Sequence, residues 1–172
     1  ESDIEMYQLP INLLLKDNAD DIRDKIKHFK KHPVTAEIQD SCAAITERFA
    51  KEGSIFEPLP ISFNDLKDKV DEVFIALHGR PGEDGVVQAH LESLKIPYNG
   101  STSESAAITI NKYETLQRLK AEGFTVTDQF LVYSDEFETA PENTLETIER
   151  ELKYPLIAKP VDDGCSLAVK KI

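Results

Sequence analysis

The chain has 172 residues, 40% hydrophobic and 30% charged, enough for one large soluble domain or two small ones. Its formal net charge of −12 excludes a surface that coats nucleic acid and means that any bound phosphate must be met by individually placed lysines. No apolar run approaches the ~20 residues that span a bilayer, and Cys42 and Cys165, far apart and in no metal-type pair, read as free thiols of a reducing cytosol.

In chain order, Ile11-Asn12-Leu13-Leu14-Leu15 predicts a short buried strand. Asn18 caps a helix striped by Ile22, Ile26 and Phe29. A second helix is expected over 35–51, with Ile38, Cys42, Ile45 and Phe49 on one face and Gly53 ending it. On that stripe Cys42 reads as a core residue. Residues 55–61, broken by Pro58 and Pro60, form an edge strand or connection. A central strand follows over 70–77, then a turn, then a helix with Val86, Val87, Leu91 and Leu94 that ends near Lys95. Residues 96–100 return as a short strand and loop. This alternation predicts an α/β fold with a parallel sheet and helices on its faces.

The pattern changes near Ser101, so a domain over 1–100 and a second unit over 101–172 are expected. Three capping boxes mark helix starts in the second unit: Ser101 with Glu104, Asn111 with Glu114, and Asn143 with Glu146. Leu116 and Leu119 stripe one helix; Leu145, Ile148 and Leu152 stripe another. Residues 125–133 alternate as a strand, 134–141 form an acidic loop, and 154–159 and 165–172 are strands around a Gly-containing turn. The first residue is Glu, no signal-peptide pattern follows, and the last strand stops without finishing a layer. The chain is therefore expected to be a piece of a longer protein.

The densest information lies in residues 78–89, His-Gly-Arg-Pro-Gly-Glu-Asp-Gly-Val-Val-Gln-Ala. A strand that stops, three glycines with two acids among them, then a helix is how a site at the carboxyl end of a parallel sheet reads. Glycine lets the backbone approach a ligand or take positive φ. One such glycine would suggest only a tight turn; a turn with His78, Arg80, Glu83 and Asp84 besides suggests a site. Lys159 ends the apolar run Pro155-Leu156-Ile157-Ala158 before a turn whose amides can meet an anion. Lys112 stands just inside a helix N-terminus, where the macrodipole disfavours a cation by roughly 0.3–1 kcal/mol. For both lysines a plain surface position is the competing reading.

The run H-G-x-x-G-E-D-G, then an aliphatic residue, Gln and a small residue, resembles the first signature of the D-alanine–D-alanine ligases, members of the ATP-grasp superfamily. The likeness covers about 70–172 and is weak before it. It implies a Rossmann-like pre-ATP-grasp domain followed by the first part of an ATP-grasp domain. It also implies that Lys112 and Lys159 hold the ATP phosphates, Lys159 counting as catalytic, and that a glycine-rich flap containing Gly164, Cys165 and Ser166 closes over them. His78 is then catalytic and lies beside the first substrate, with Gly79, Glu83 and Asp84 binding or fixing it. The activity implied for the longer protein is ATP-dependent joining of D-alanine to D-alanine for peptidoglycan, through an acylphosphate. Magnesium would be bound by ligands downstream of Ile172, so the metal has no ligand in this chain and the chain alone is expected to be inactive. ATP and D-alanine or a related amino acid are the implied partners, with no nucleic acid or membrane, a cytoplasmic location, and room for a homodimer.

Three features depart from the pattern. Cys165 replaces the first flap serine, and a thiol is the weaker hydrogen-bonding group. Ala168 replaces a glycine and takes positive φ less easily. Residues 15–18 lack the Gly-Gly turn and glutamate that contact the first amino acid in the family. Ligases for other amino or hydroxy acids, and a degenerate non-catalytic ATP-grasp segment, therefore stay open. A lone Rossmann nucleotide binder is disfavoured, because no G-x-G-x-x-G follows a strand.

Overall fold

The computed structural model describes residues 4–15, 18–50, 55–162, 164 and 168–172. The chain divides into two compact units, Glu1–Leu66 and Lys67–Ile172. The fold is mixed α/β.

The first unit opens with β1 (Met6–Gln8), which pairs antiparallel with β2 (Leu59–Ile61) in the register Met6 to Ile61 and Gln8 to Leu59. Between them lie α1 (Ile11–Leu14), α2 (Ala19–Lys27), α3 (Pro33–Ser41) and α4 (Ala43–Phe49). A 3-10 turn at Phe63–Leu66 closes the unit, its Asp65 accepting from the amide and hydroxyl of Ser62. The strand expected at 11–15 is thus a helical turn. Pro10 has φ −59°, the value its ring fixes, and Leu13 N–H donates to the Pro10 carbonyl. Five residues are too few for an apolar run to declare strand or helix.

Asn18 caps α2 as expected, its side chain accepting from Asp21 N–H at 3.0 Å. Asp20 and Asp21 in the first turn and Lys25 and Lys27 in the last suit the helix dipole. Where one helix was expected over 35–51, the chain breaks at Cys42 between α3 and α4. Cys42 is half-buried rather than core, and Ile38, Ile45 and Phe49 are 56%, 60% and 72% exposed. Gly53 lies outside the described residues.

The second unit contains α5 (Val86–Leu94), α6 (Ser103–Ile110), α7 (Lys112–Ala121), α8 (Ser134–Thr139) and α9 (Pro141–Glu151). It ends in β3 (Ile157–Ala158) and β4 (Lys170–Lys171), paired antiparallel. Of the expected parallel sheet, the described residues hold one parallel bridge, Val73 with Tyr98, supported by Val73 N–H on the Pro97 carbonyl at 2.9 Å. Next to it the Asn99 side chain stands in for a strand, accepting from Ile75 N–H and donating to the Ile75 carbonyl. The alternating run 125–133 is irregular, and among the described residues no strand pairs with it.

The core of this unit is small: Val87, Leu91, Ile96 and Ala106 are buried, with Gln88 among them. Helix α5 ends in a Schellman motif. Lys95 takes the left-handed conformation at φ 59°, its N–H bonding the Glu92 carbonyl while Ile96 N–H bonds the Leu91 carbonyl. The motif draws together Leu91, in the last turn, and Ile96, just past the left-handed residue, and both are buried. Helix α6 is capped by Thr102, one residue past the expected Ser101, and α7 by Asn111 as expected. Asn143 does not cap α9; Pro141 at the first helical position starts it two residues earlier. The first six residues of the acidic run 134–141, expected as a loop, form α8, with Tyr133 N-capping it and Phe137 N–H on the Tyr133 carbonyl. The change of pattern at residue 100 falls within the second unit, where α5 and α6 pack together.

Candidate functional site

The turn of residues 78–89 is held by its own side chains. Glu83 reaches back to Gly79: the Gly79 N–H donates to Glu83 Oε2 at 2.6 Å, and Glu83 N–H donates to the Gly79 carbonyl at 2.7 Å. This reciprocal pair closes a tight loop, and Gly79 sits at φ 66°, where a side chain would be strained. Gly82 has a different cause. A Cβ there would lie 2.3 Å from Leu77 Cβ, so the loop can fold back onto Leu77 only without one. Its carbonyl accepts from Gln88 Nε2 at 2.7 Å, which ties the turn to the buried face of α5. Gly85, at φ 90°, begins α5, and a Cβ there would lie 2.3 Å from the Ser103 carbonyl oxygen. The three glycines thus serve a left-handed bend and two close approaches.

His78 opens the turn, after a run that is irregular apart from the bridge at Val73, with its side chain 81% exposed and Nδ1 3.9 Å from Glu83 Oε1. Asp84 is the opposite case, only 5% exposed. Its carboxylate accepts from Val86 N–H at 3.2 Å and from Arg80 Nη1 at 3.2 Å. Arg80 also donates through Nη2 to Asp162 Oδ2 at 2.7 Å. The Asp162 hydrogen bond, then the charges of Asp162 and Asp84, hold the Arg80 guanidinium above its ordinary range against some desolvation.

A second tie joins α5 to α6. Glu92 accepts from Tyr98 OH at 2.6 Å, from Ser103 N–H at 2.9 Å and from the Ser103 hydroxyl. These bonds, the Ser103 hydroxyl first, keep the Glu92 carboxyl below the usual range, and the Glu92 bond raises Tyr98 above its own.

The segment after Lys159 crosses this turn. Lys112, first residue of α7, donates its backbone N–H to the Val161 carbonyl at 2.9 Å and its Nζ to the same oxygen at 3.3 Å. That acceptor offsets the unfavourable position of a cation at a helix N-terminus. Asp162 meets Arg80, and a Cβ on Gly164 would lie 3.1 Å from Glu83 Oε2 and 3.3 Å from Gly79 N. Lys159 itself is exposed, just past β3.

Of the residues expected in a site, Gly79, Glu83, Asp84 and Gly164 are brought together, with His78 beside Glu83 and Lys112 on the adjoining segment. Cys165 and Ser166 lie outside the described residues. Reading the sequence missed Arg80 and Asp162 as a pair, Asn99, and the Glu92–Ser103 tie. Only Glu92 carried a usable signal, an acid eleven residues before a helix start. Among the described residues no three His, Cys, Asp or Glu side chains converge as metal ligands, and no helix is long and apolar enough to cross a membrane.

Comparison with known proteins follows the same outline. Residues 14–101 match the model of the D-ala D-ala ligase N-terminus, just over half of the chain. The D-alanine--D-alanine ligase of Dechloromonas aromatica is 37% identical over 117 residues, 68% of this chain and 36% of that protein. Among solved structures, the D-alanine-D-alanine ligase from Coxiella burnetii aligns with a TM-score of 0.54 and 28% identity, over 80% of this chain and 40% of that one. The VanG D-Ala:D-Ser ligase from Enterococcus faecalis aligns with 0.55 and 26%, over 84% and 41%. The chain spans about a third of the length of the curated relatives it matches. By its match over half its length, the chain belongs to the D-alanine–D-alanine ligase N-terminus family.

Proposed function

We propose that this chain forms the first-substrate side and part of the phosphate side of an ATP-dependent ligase that joins D-alanine to D-alanine for peptidoglycan. One observation carries the reading: the signature turn, the N-terminus of α7 and the segment after Lys159 meet in one place. In this reading residues 1–100 belong to a Rossmann-like domain and 101–172 begin an ATP-grasp domain.

The residues present suit phosphate in kind. Lys112 offers an ammonium half-buried against Val161, and Lys159 offers an exposed one at a strand end. Gly164 brings backbone without a side chain close to Gly79, as an anion-binding turn requires. Among the described residues no His, Cys, Asp or Glu cluster is placed to hold magnesium. ATP would supply the phosphoryl group that turns a carboxylate into an acyl donor. Against it, Lys112 and Lys159 neutralise phosphate charge, Glu83 and Asp84 keep the turn rigid, and exposed His78 faces the amino acid. Cys165 and Ser166 are assigned to the flap by resemblance.

D-alanine with a different second substrate is the alternative. It is favoured by the likeness to a D-Ala:D-Ser ligase, which matches as well as the D-alanine ligase of Coxiella burnetii does.

The test is turnover of the full-length protein with ATP and D-alanine, then with D-serine added. Lys159→Ala should cut turnover by roughly 10²–10³-fold, the cost of ~2.7–4 kcal/mol of transition-state charge stabilisation, and leave the melting temperature nearly unchanged. Lys112→Ala should lose as much turnover and also lose about 1 kcal/mol of stability with its bond to Val161. Lys170→Ala, on β4, should do little. Equal small losses for all three would mean that these are surface lysines.

A further inference from the structure

The family signature leaves position 80 open, and the Lys-Pro-x-x-x-Gly pattern after β3 leaves position 162 open. In this chain those two open positions hold opposite charges and pair across 82 residues of sequence. We propose that Arg80 is a positioning residue that ties the segment following Lys159 to the signature turn, with Asp84 as its fixed anchor and Asp162 as its load. The consequence for turnover rests on the ligase reading above; the tie itself does not.

The two ends of the tie differ in kind. Asp84 is 5% exposed and bonds the first amide of α5, so it cannot move without disturbing that helix. Asp162 is 50% exposed and lies in a turn. The guanidinium gives Nη1 to one carboxylate and Nη2 to the other, a division that a planar fork permits and an ammonium on a flexible stem does not hold as well. Remove Arg80 and the site keeps two carboxylates with their shared cation gone, so they repel.

Neighbouring contacts show what the tie controls. Val161, one residue before Asp162, gives its carbonyl to both nitrogens of Lys112. Gly164, two residues after, lies close against Glu83 and Gly79, where a Cβ would meet Glu83 Oε2 at 3.1 Å and Gly79 at 3.3 Å. Asp162 is therefore the charged contact between two close ones, and Lys159 is three residues upstream. A segment released at Asp162 carries Lys159 and the Lys112 acceptor away from the turn together.

The clean probe is Asp162→Asn in the full-length protein, because it breaks the tie and leaves Arg80 to neutralise Asp84. Amide exchange around Val161 and Asp162 should quicken, and KM for ATP should rise roughly two- to fivefold, the size of a half-exposed ion pair, with kcat changed less. Asp162→Glu should restore both. Arg80→Ala should raise KM as much and lower the melting temperature as well, and adding Asp162→Asn to it should raise KM no further. Arg118→Ala, which removes a surface pair with Glu114, should be silent. Unchanged exchange in Asp162→Asn overturns the tie. Faster exchange with unchanged KM overturns the positioning role. A wild-type protein that releases no phosphate from ATP with either D-alanine or D-serine sinks the ligase reading instead, and the exchange arm then decides the tie by itself.

Discussion

The helices of residues 19–49 and the helix of residues 86–94 carry apolar residues at similar spacing, and only the second set is buried. Ile38, Ile45 and Phe49 are more than half exposed, whereas Leu91 is fully buried and Val87 nearly so. The difference lies in what stands opposite. Helix α5 has α6 pressed against its start, with Gly85 leaving no space at the Ser103 carbonyl and Glu92 bonding Ser103 through backbone and side chain. Helices α3 and α4 break at Cys42, and half-buried Ala36, Gln39, Cys42 and Thr46 take the sheltered positions instead of the isoleucines. Periodicity names a face that can be buried; a neighbour held at close range decides whether it is.

The comparison breaks most sharply at Gly85. Alanine there must relieve both a φ of 90° and a Cβ placed 2.3 Å from a backbone oxygen. Left-handed strain and overpacking each cost about 1–3 kcal/mol, so their sum should lower the unfolding midpoint by far more than an ordinary helix-start substitution. A near-neutral Gly85→Ala would show that α6 is free to withdraw.

Next in size is a matched pair of truncations. Leu91→Ala removes a side chain with 0% exposure and should cost about 2–5 kcal/mol. Ile38→Ala, at 56% exposure, should stay within about 0.5 kcal/mol. Urea denaturation of both variants reads the difference directly, and equal losses would mean that the α3 face is covered in solution.

The smallest effect is one of pH. Glu92 has its carboxyl held down by the Ser103 hydroxyl first and by Tyr98 second. A depressed folded value means the tie stabilises fully above the ordinary glutamate range of about 4.3 and is lost as pH falls through the folded value. Melting curves of the wild type should therefore drop more steeply below that range than those of Glu92→Gln. Parallel curves would remove Glu92 from the link between α5 and α6.

What could be read from the chain follows the same division. Asn18 and Asn111 cap their helices as their spacing indicates, because a cap reaches only three residues. The turn at 78–89 is legible as a built turn for a similar reason: Glu83 to Gly79 and Gln88 to Gly82 are contacts within a few residues. At 11–15 an apolar run too short to show a period gave the wrong element, and at 143 a proline two residues earlier outweighed a good capping box. Arg80 with Asp162, and Asn99 with Ile75, could not be seen in advance. Each joins segments that only the finished fold brings together, and neither follows a residue-type pattern.

Lys112 has one further consequence. Its ammonium already faces an oxygen, the Val161 carbonyl, whose other hydrogen bond comes from the same residue's backbone. An arriving anion would exchange one acceptor for another, with no long side chain to gather from solvent. Part of the roughly 2 kcal/mol of rotamer freedom that a lysine carries is already given up in making this contact. The Val161 carbonyl left behind keeps its backbone donor. In the proposed ligase, Val161 would act as a placeholder that keeps the charge aimed until phosphate binds.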